Sequence, residues 1–212
     1  MNVALFDYGV GNLHSLGKAL ERGGAAVHVT RDWDAALSSD ALVLPGVGAF
    51  SAAVAALPAD PEPIRSALEA GLPCLGICLG MQLLFDESAE GEGRGIGFVG
   101  GRVRKLRANV VPQMGWNDVV PTRPGDPLFD GLPTLTAYYA NSFICEPDDP
   151  GAIIAQTEYE DERLVAAVRR RRTWGVQFHP EKSSAPGRRL IANFLRAAAD
   201  DSPEGTDPGS AS

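Results

Sequence analysis

The sequence predicts an α/β protein built on an open, mostly parallel sheet, with helices on both faces and added antiparallel strands. The first observation is that three short runs are aliphatic and lack polar alternation: Val3 to Phe6, Ala41 to Leu44 and Cys74 to Ile77. Such runs are typical of strands covered on both faces of a parallel sheet. The second observation is that strands and helices alternate in the first half of the chain, whereas extended segments dominate the second half. This order predicts a parallel sheet extended by antiparallel strands.

Turn and helix signals justify the elements of the first half in order. Asp7 to Gly11 closes the first strand, and apolar residues from Leu13 to Leu20 follow at helical spacing. Pro63 stands near the start of a helix that Gly71-Leu72-Pro73 ends. The predicted elements are strand Val3 to Phe6, helix Leu13 to Leu20, strand Ala25 to Val29, strand Ala41 to Leu44, helix Pro63 to Ala70, strand Cys74 to Ile77 and helix Met81 to Glu87.

The second half begins after a glycine-rich loop from Gly91 to Gly95. A closing helix is predicted from Arg188 to Ala199. One domain is expected over residues 1–198, and residues 199–212, rich in Asp, Ser, Pro and Gly, are expected to form a disordered acidic tail. The extended segments between the loop and the helix are Phe98 to Leu106, Ala137 to Cys145, Ile153 to Thr157, Leu164 to Val168 and Trp174 to Phe178.

Composition excludes several classes of protein. The formal net charge of −8 argues against a nucleic-acid surface, which needs Lys and Arg to neutralise phosphates. The apolar runs fall far short of the ~20 residues of a membrane-spanning helix, and the first residues lack the features of a secretory signal, so we expect a cytoplasmic protein. Three cysteines without a Cys-x-x-Cys pair predict neither a disulfide framework nor a metal site, and we expect no cofactor.

The segment Gly76-Ile77-Cys78-Leu79-Gly80 predicts a nucleophile elbow, because an apolar strand ends there and a helix begins at once. The sharp turn requires small residues on both sides of the nucleophile, and the positive end of the helix dipole stabilises a thiolate. The alternative is a buried structural cysteine in a glycine-rich turn. Cys74 and Cys145 fit that alternative better, because they lie inside predicted strands without flanking glycines.

A nucleophilic cysteine needs a base, and His179 is the best candidate. It follows the strand ending at Phe178 and precedes Pro180-Glu181, so a carboxylate two residues away can orient its imidazole ring. His28 alternates with valines and is interpreted as a strand surface residue, while His14 falls in the first helix turn. Cys78, His179 and Glu181 all follow strand ends, where α/β sheets build their sites. The backbone of Pro45-Gly46-Val47-Gly48 and the amide of Leu79 are candidate oxyanion donors, although an ordinary turn is the alternative for the loop.

Gly76 to Gln82 together with His179-Pro180-Glu181 resembles the class I (triad) glutamine amidotransferases, which release ammonia from glutamine through a glutamyl thioester. Four more segments look like the glutaminase subunits of imidazole glycerol phosphate synthases (the HisH type), and the resemblance covers roughly Asn2 to Leu195. It implies a class I glutamine amidotransferase fold for the domain at residues 1–198. The four segments are Asp7 to Leu13, Leu44 to Phe50, Pro112 to Asn117 and Phe178 to Ser183.

The resemblance also implies the roles of individual residues. Cys78 would be the nucleophile, His179 the general acid and base, and Glu181 the carboxylate that orients it. The implied partner is a (β/α)₈ cyclase that forms a heterodimer with the chain and uses its ammonia to close an imidazole ring in histidine biosynthesis. The substrate positions, including the oxyanion backbone, are Gly46, Val47, Gly48, Leu79, Gln82, Glu90, Ser142 and Phe143, and the partner positions are Asn12, Trp116 and Lys182.

Two features depart from the resembled family and keep alternatives open. Asn141 replaces the usual histidine before Ser142, so a paralogue that supplies ammonia to a different synthase is the second hypothesis. The run Arg169 to Arg172 is interpreted as a solvated hairpin turn, with contact to an acidic partner or a phosphate-bearing substrate as the alternative. Two further hypotheses are a cysteine hydrolase that acts alone and a non-catalytic scaffold subunit.

Overall fold

The computed structural model describes residues 1–9, 13–46 and 48–200. In the first half of the chain, strands alternate with helices as predicted. The strands are β1 (Asn2–Phe6), β2 (Ala26–Thr30), β3 (Ala41–Leu44) and β4 (Cys74–Ile77), and the helices are α1 (His14–Arg22), α2 (Trp33–Leu37), α3 (Phe50–Ala55), α4 (Glu62–Glu69) and α5 (Leu79–Leu83).

The second half is rich in strands and ends in a long helix. Single turns of 3₁₀ helix lie at Pro127–Phe129, Pro150–Ala152 and Pro180–Lys182. The acidic tail predicted after residue 198 falls, from residue 201 onward, outside the described residues. The remaining elements are β5 (Glu87–Ser88), β6 (Gly101–Lys105), β7 (Gln113–Pro121), β8 (Leu135–Asn141), β9 (Phe143–Pro147), β10 (Ile153–Tyr159), β11 (Glu162–Arg170), β12 (Thr173–Val176) and α6 (Ser184–Ala199).

Within the described residues, the main sheet has nine strands in the order β2-β1-β3-β4-β12-β11-β10-β7-β8. The strands from β2 to β12 in that order pair in parallel, and the pairs from β12 to β8 are antiparallel. A smaller sheet contains β5, β6 and β9. The predicted fold class is therefore confirmed. Because β4 and β12 are parallel neighbours, with Ile77 opposite Val176, the segments that leave their carboxyl ends start side by side.

The core forms a layer on each side of the main sheet. Strand β1 shows the division, because Val3 and Leu5 pack on one side while Ala4 and Phe6 pack on the other. Helices α1 and α6 cover the first side, and helices α2 to α5 cover the second. Burial on both faces explains why the parallel strands are continuous aliphatic runs. In the described part of the chain, no helix is long and apolar enough to cross a membrane.

The helix predicted from Met81 to Glu87 is wrong at both ends. Helix α5 already begins at Leu79 and ends at Leu83, while Glu87 lies in strand β5. The helix stops because a neighbouring loop takes the carbonyl groups that would continue it: the backbone N–H of Ile96 donates to the Leu83 oxygen at 2.7 Å. The same loop bonds the next carbonyls, Leu84, Phe85 and Asp86, through the N–H groups of Phe98, Gly97 and Gly95.

The single extended segment predicted from Ala137 to Cys145 is two strands in different sheets. Strand β8 ends at Asn141 in the main sheet, β9 begins at Phe143 in the smaller sheet, and Ser142 lies at the crossing. Strand β7 was not predicted, nor were helices α2 and α3, which are only five and six residues long. The strand in the segment predicted from Phe98 to Leu106 is shorter than expected: β6 begins only at Gly101.

The arginine run forms the predicted turn between β11 and β12, but its side chains are not simply solvated. Each one bonds to groups of the same chain, which argues against the alternative of contact with an acidic partner or a phosphate-bearing substrate. The guanidinium of Arg172 donates to the last carbonyls of α6, where positive charge is favourable. The contacts are Arg169 with Asp126, Arg170 and Arg171 with Glu69, and Arg172 with the carbonyl oxygens of Ala197, Ala198 and Asp200.

Candidate active site

The backbone at Cys78 has the strained geometry that the elbow prediction requires. Its φ of 47° and ψ of −103° lie in a region that non-glycine residues rarely adopt. A Cβ on Gly80 would lie 2.0 Å from the backbone oxygen of Leu44, and one on Gly76 would lie 2.6 Å from the oxygen of Gly80. Both glycines are therefore required by close backbone contacts, and they let β4 turn directly into α5 with Cys78 at the bend.

His179 and Glu181 come to Cys78 from the neighbouring strand. Strand β12 ends at Val176, and the chain continues through Gln177 and Phe178 to His179. The ring atom Nδ1 of His179 is 2.8 Å from Oε1 of Glu181, and the imidazole also hydrogen-bonds to the Cys78 side chain. The His179 and Glu181 side chains are only 4% and 7% exposed. The structure thus brings together all three members of the predicted triad.

The surroundings of His179 favour its protonated form. Burial by itself lowers the pKa of the imidazole, but hydrogen bonds and charge attraction from Cys78 and Glu181 outweigh burial and raise the pKa to about 9. By contrast, burial raises the pKa of the Cys74 thiol, and burial together with the nearby Cys78 raises that of Cys145. Both thiols are fully buried, as a structural role requires.

The glycine loop after β3 packs directly on the triad. A Cβ on Gly46 would lie 2.9 Å from Cβ of Cys78 and 3.0 Å from Cε1 of His179, so this position tolerates no side chain. Gly48 has a φ of 111°, which also favours glycine. Leu79 is the first residue of α5, and the first N–H groups of a helix have no partner within the helix. Val47 lies outside the described residues.

A second group of predicted substrate residues meets at the crossing between the two sheets. Nε2 of Gln82 donates to the backbone oxygen of Phe143 at 3.4 Å, and Nδ2 of Asn141 donates to the same oxygen at 3.2 Å. Ser142, which lies between Asn141 and Phe143 in the chain, is half-buried. Glu90 is exposed, and its carboxylate accepts a hydrogen bond from the Phe50 backbone at the start of α3.

Two predicted partner residues, Trp116 and Lys182, meet at one open face of the main sheet, Trp116 from strand β7 and Lys182 from the turn after His179. Trp116 on β7 is 55% exposed, and its ring contacts that of Tyr138 on β8 edge to face at 6.1 Å. The ammonium group of Lys182 lies 5.7 Å from the centroid of the same Tyr138 ring. Met114 and Val120 on β7 are also exposed. We call the surface formed by Met114, Trp116, Val120, Tyr138 and Lys182 the β7 face. Asn12 lies outside the described residues.

Sequence reasoning missed two residues that the structure places at the site. Gln177 is buried, and its Nε2 lies 3.5 Å from Sγ of Cys78. Strand β12 ends at Val176, and Gln177 and Phe178 lie in a bend, so no strand periodicity in the sequence places Gln177 beside Cys78. The backbone oxygen of Tyr138 accepts the His179 backbone N–H at 2.8 Å and thereby joins the β7 face to the triad, a contact that no local pattern indicates.

One cavity, of about 850 Å³, is bordered by Asp86, Arg94, Arg102 and Glu146 rather than by the triad. A smaller cavity of about 280 Å³ lies beside the triad, lined by Gly46 and Glu181 and closed by the start of α1. Among the described residues, no group of three His, Cys, Asp or Glu side chains is arranged to hold a metal ion. The reactive groups that meet at the triad are the thiol, the imidazole and the carboxylate.

Comparison with known proteins defines the class of the chain. The family model described as glutamine amidotransferase class-I matches residues 4–198, and the chain belongs to this family. It shares its fold with a crystal structure of a glutamine amidotransferase, with a TM-score of 0.74 at 21% identity over 93% of this chain and 99% of that one. The structure of PurLQS from Thermotoga maritima matches with a TM-score of 0.69 at 18% identity, covering 92% of this chain and 97% of that one.

Curated relatives of the chain point to a particular type of protein within this class. The chain is 41% identical over 205 residues to the imidazole glycerol phosphate synthase subunit HisH of Synechococcus sp. (strain JA-3-3Ab), covering 94% of this chain and 95% of the relative. It is also 41% identical over 199 residues to the HisH subunit of Nostoc punctiforme (strain ATCC 29133 / PCC 73102), covering 91% of this chain and 94% of that protein. The resemblance noted in the sequence is confirmed, and the chain is a glutamine amidotransferase.

Proposed function

We propose that this chain is the glutaminase subunit of an imidazole glycerol phosphate synthase. It hydrolyses glutamine through a cysteine thioester and passes the ammonia to a cyclase subunit. The observation that carries the proposal is the triad of Cys78, His179 and Glu181 at a strained elbow, in a chain whose curated relatives are HisH subunits. A complete triad argues against a non-catalytic scaffold. Biosynthesis of this kind implies a cytoplasmic location.

The geometry supports an ordered sequence of steps. The Cys78 thiolate attacks the carboxamide carbon of glutamine, and the electron pair moves onto the oxygen, where the Leu79 amide and the Gly46 to Gly48 loop, with the Val47 backbone, act as donors. His179 protonates the departing nitrogen, which leaves as ammonia, and Glu181 keeps the ring oriented. Water then attacks the thioester, gives a proton to His179 and releases glutamate with the thiolate restored. A His179 pKa of about 9 fits this role, because the ring holds a proton at neutral pH.

We assign the binding of the amino acid part of glutamine to the group at the sheet crossing. Gln82 and Ser142 contribute polar side chains, and the hydrogen bonds from Gln82 and Asn141 hold the Phe143 backbone beside them. Glu90 adds a carboxylate that attracts the ammonium group of glutamine. Because Asn141 donates to the Phe143 oxygen, it helps to hold this backbone in place.

Ammonia released into water would mostly be protonated and lose its nucleophilicity, so the enzyme needs a docked acceptor. We propose that the β7 face, with Asn12, docks a (β/α)₈ cyclase as a heterodimer. The face combines large exposed apolar side chains with a cation, the composition that favours a binding surface. Its Tyr138 bonds to the His179 backbone, so the docked partner lies next to the proposed source of ammonia.

Measurement of glutamate release from glutamine tests this proposal. The purified chain is assayed alone, with the cyclase of the same organism, and with the cyclase plus the phosphoribosyl intermediate that it converts. We expect strong stimulation by cyclase and intermediate together. A glutaminase that ignores this cyclase would indicate a different synthase, the alternative raised by Asn141. Full activity on esters or peptides without a partner would instead indicate an independent cysteine hydrolase.

A further inference from the structure

Gln177 makes an unusual contact for a buried amide. Its side chain is 1% exposed, and Nε2 lies 3.5 Å from Sγ of Cys78. In the described part of the chain, its Oε1 is buried without a hydrogen-bond partner. A buried polar group that is only half satisfied costs stability, and an apolar side chain of the same size would avoid this cost. The contact with the nucleophile therefore gives a reason for an amide at this position.

The orientation of the amide makes Gln177 a donor to the sulfur. The opposite orientation would place the amide oxygen against the thiolate. Because both atoms carry negative charge, they would repel each other, so Nε2 is the atom that faces Sγ. Gln177 lies in the bend between the end of β12 and His179. Because Nδ1 of His179 bonds to Glu181, the other ring nitrogen is the one available to Cys78.

We propose that Gln177 is a further catalytic residue, a neutral second hydrogen-bond donor that stabilises the Cys78 thiolate. This inference rests on the proposed thioester mechanism, in which the thiolate exists twice, before attack on glutamine and again as the group that leaves during thioester hydrolysis. His179 loses and regains a proton between these two stages, whereas the Gln177 amide does not titrate and keeps its N–H groups. Its hydrogen bond to the sulfur therefore remains at both stages.

Three other titratable groups near Cys78 also affect its thiolate or could react with the probe, so the test of Gln177 has to account for them. His179 is the charged partner, Glu181 acts on it through the ring, and Cys145 is a nearby thiol that burial keeps neutral. The two thiols other than Cys78 are fully buried. Alkylation by iodoacetamide, located by peptide mass spectrometry, therefore reports the thiolate fraction of Cys78 at each pH.

The test compares the pH dependence of this alkylation in the wild type and in Gln177→Met, which keeps the length and removes the donor. We expect the pH of half-maximal rate to rise by about one unit, the effect of losing a hydrogen bond to a charged group. Glutamine hydrolysis at neutral pH should fall about tenfold for the same reason. Gln177→Glu, equal in shape, should raise the half-maximal pH further because a carboxylate would face the thiolate.

Thr173→Val is the matched control. Thr173 lies on strand β12, is 1% exposed, and its Oγ1 is buried without a partner in the described residues. Replacement there removes a buried polar atom far from Sγ, so the alkylation profile should equal that of the wild type. If Gln177→Met fails to fold, Gln177→Glu decides the question. Profiles that match the control in an active glutaminase would overturn the role of Gln177, whereas a wild type that does not hydrolyse glutamine would overturn the proposed function itself.

Discussion

Cys78 shows how a single backbone conformation prepares a site. A positive φ at a residue other than glycine costs about 1–3 kcal/mol and persists only where the surroundings impose it. Here they do so through Gly76 and Gly80, which bring β4, α5 and β3 into backbone contact. The sulfur is consequently held at the carboxyl end of the sheet, between the imidazole of His179 and the amide of Gln177.

Removal of the thiol should abolish glutamine hydrolysis and leave the fold intact. We expect Cys78→Ala to lower the rate by on the order of 10⁴-fold or more, because no other group near the site can form the thioester. Cys74→Ala is the control, since that thiol is fully buried in β4 and takes no part in the proposed steps. Glutamate release and circular dichroism check both variants. Near wild-type hydrolysis by Cys78→Ala would remove Cys78 from its role.

The raised pKa of His179 links the site to stability. A pKa of about 9 in the folded chain, against an ordinary 6.5, means that the folded state binds the proton more tightly than the unfolded state. The stability from this proton is therefore complete below pH 6.5 and is lost as the pH rises through about 9. Urea unfolding of the wild type across this range should show a falling free energy of unfolding.

His179→Asn is the variant that isolates this effect. Other groups also titrate in the range, but they remain in the variant, so the difference between the two slopes belongs to His179. We expect a flatter dependence of the free energy of unfolding on pH for His179→Asn. Equal slopes would show that the imidazole has no raised pKa in the folded protein.

At the scale of elements, the junction of β4 and α5 depends on backbone packing. Gly80→Ala should lower the free energy of unfolding by about 3 kcal/mol or more, because the new Cβ would lie 2.0 Å from the Leu44 oxygen. Gly17→Ala in α1 is the matched control, since its nearest atom, Cδ2 of Leu5, is 3.9 Å away. Alanine in a helix interior should raise stability there by about 0.5–1 kcal/mol. Chemical denaturation measures both, and equal effects would contradict the packing argument.

The crossing from β8 to β9 is the second element that shapes the site. One unbroken run of strand-forming residues changes sheets at Ser142, and the break brings Phe143 under Gln82. Local propensity favours extended structure on both sides of Ser142 and therefore contains no sign of the crossing. The hydrogen bond of Leu106 N–H to the Ser142 oxygen at 2.9 Å, a long-range contact, holds the chain at the point of change.

At the scale of the whole molecule, the order of strands links the site to the β7 face. Strand β8 pairs with β7 at the edge of the main sheet, yet Tyr138 on β8 also bridges to His179 beyond β12. The antiparallel half of the sheet therefore curves back toward the triad. Because of this curvature, the proposed docking surface lies next to the proposed catalytic site in space.

A substitution on the β7 face should weaken docking of the cyclase more than it destabilises the fold. We expect Trp116→Ala to raise the dissociation constant of the complex with the cyclase by about 30-fold, the effect of losing an aromatic side chain of high binding energy. Val29→Ala on strand β2 is the control, because Val29 is equally exposed, at 57%, but lies at the opposite edge of the sheet. Calorimetric titration and thermal unfolding check the two variants. Unchanged affinity and ammonia transfer in Trp116→Ala would contradict the docking proposal.

Local sequence patterns predicted the parallel half of the fold, which is confirmed, and the three residues proposed as the triad, which the structure brings together. Aliphatic strands buried on both faces, and a cysteine between glycines at a strand end, are local patterns with strong physical causes. The contact of His179 with Cys78 could also be expected, because both follow strands of one parallel sheet. The roles of Asn12 and Val47 stay predictions, since both lie outside the described residues.

The other features depend on contacts between segments that are distant in the sequence. The early end of α5 depends on hydrogen bonds from a loop around Ile96, and the fate of the arginine run depends on partners such as Asp126 and Glu69. Strand β7 is half exposed, so it lacks the continuous apolar run that marks the parallel strands. Gln177 lies beside Cys78 only because the bend after β12 turns its side chain toward Sγ, which no local pattern indicates. In each case the deciding interactions join residues far apart in the chain, where local patterns carry no information.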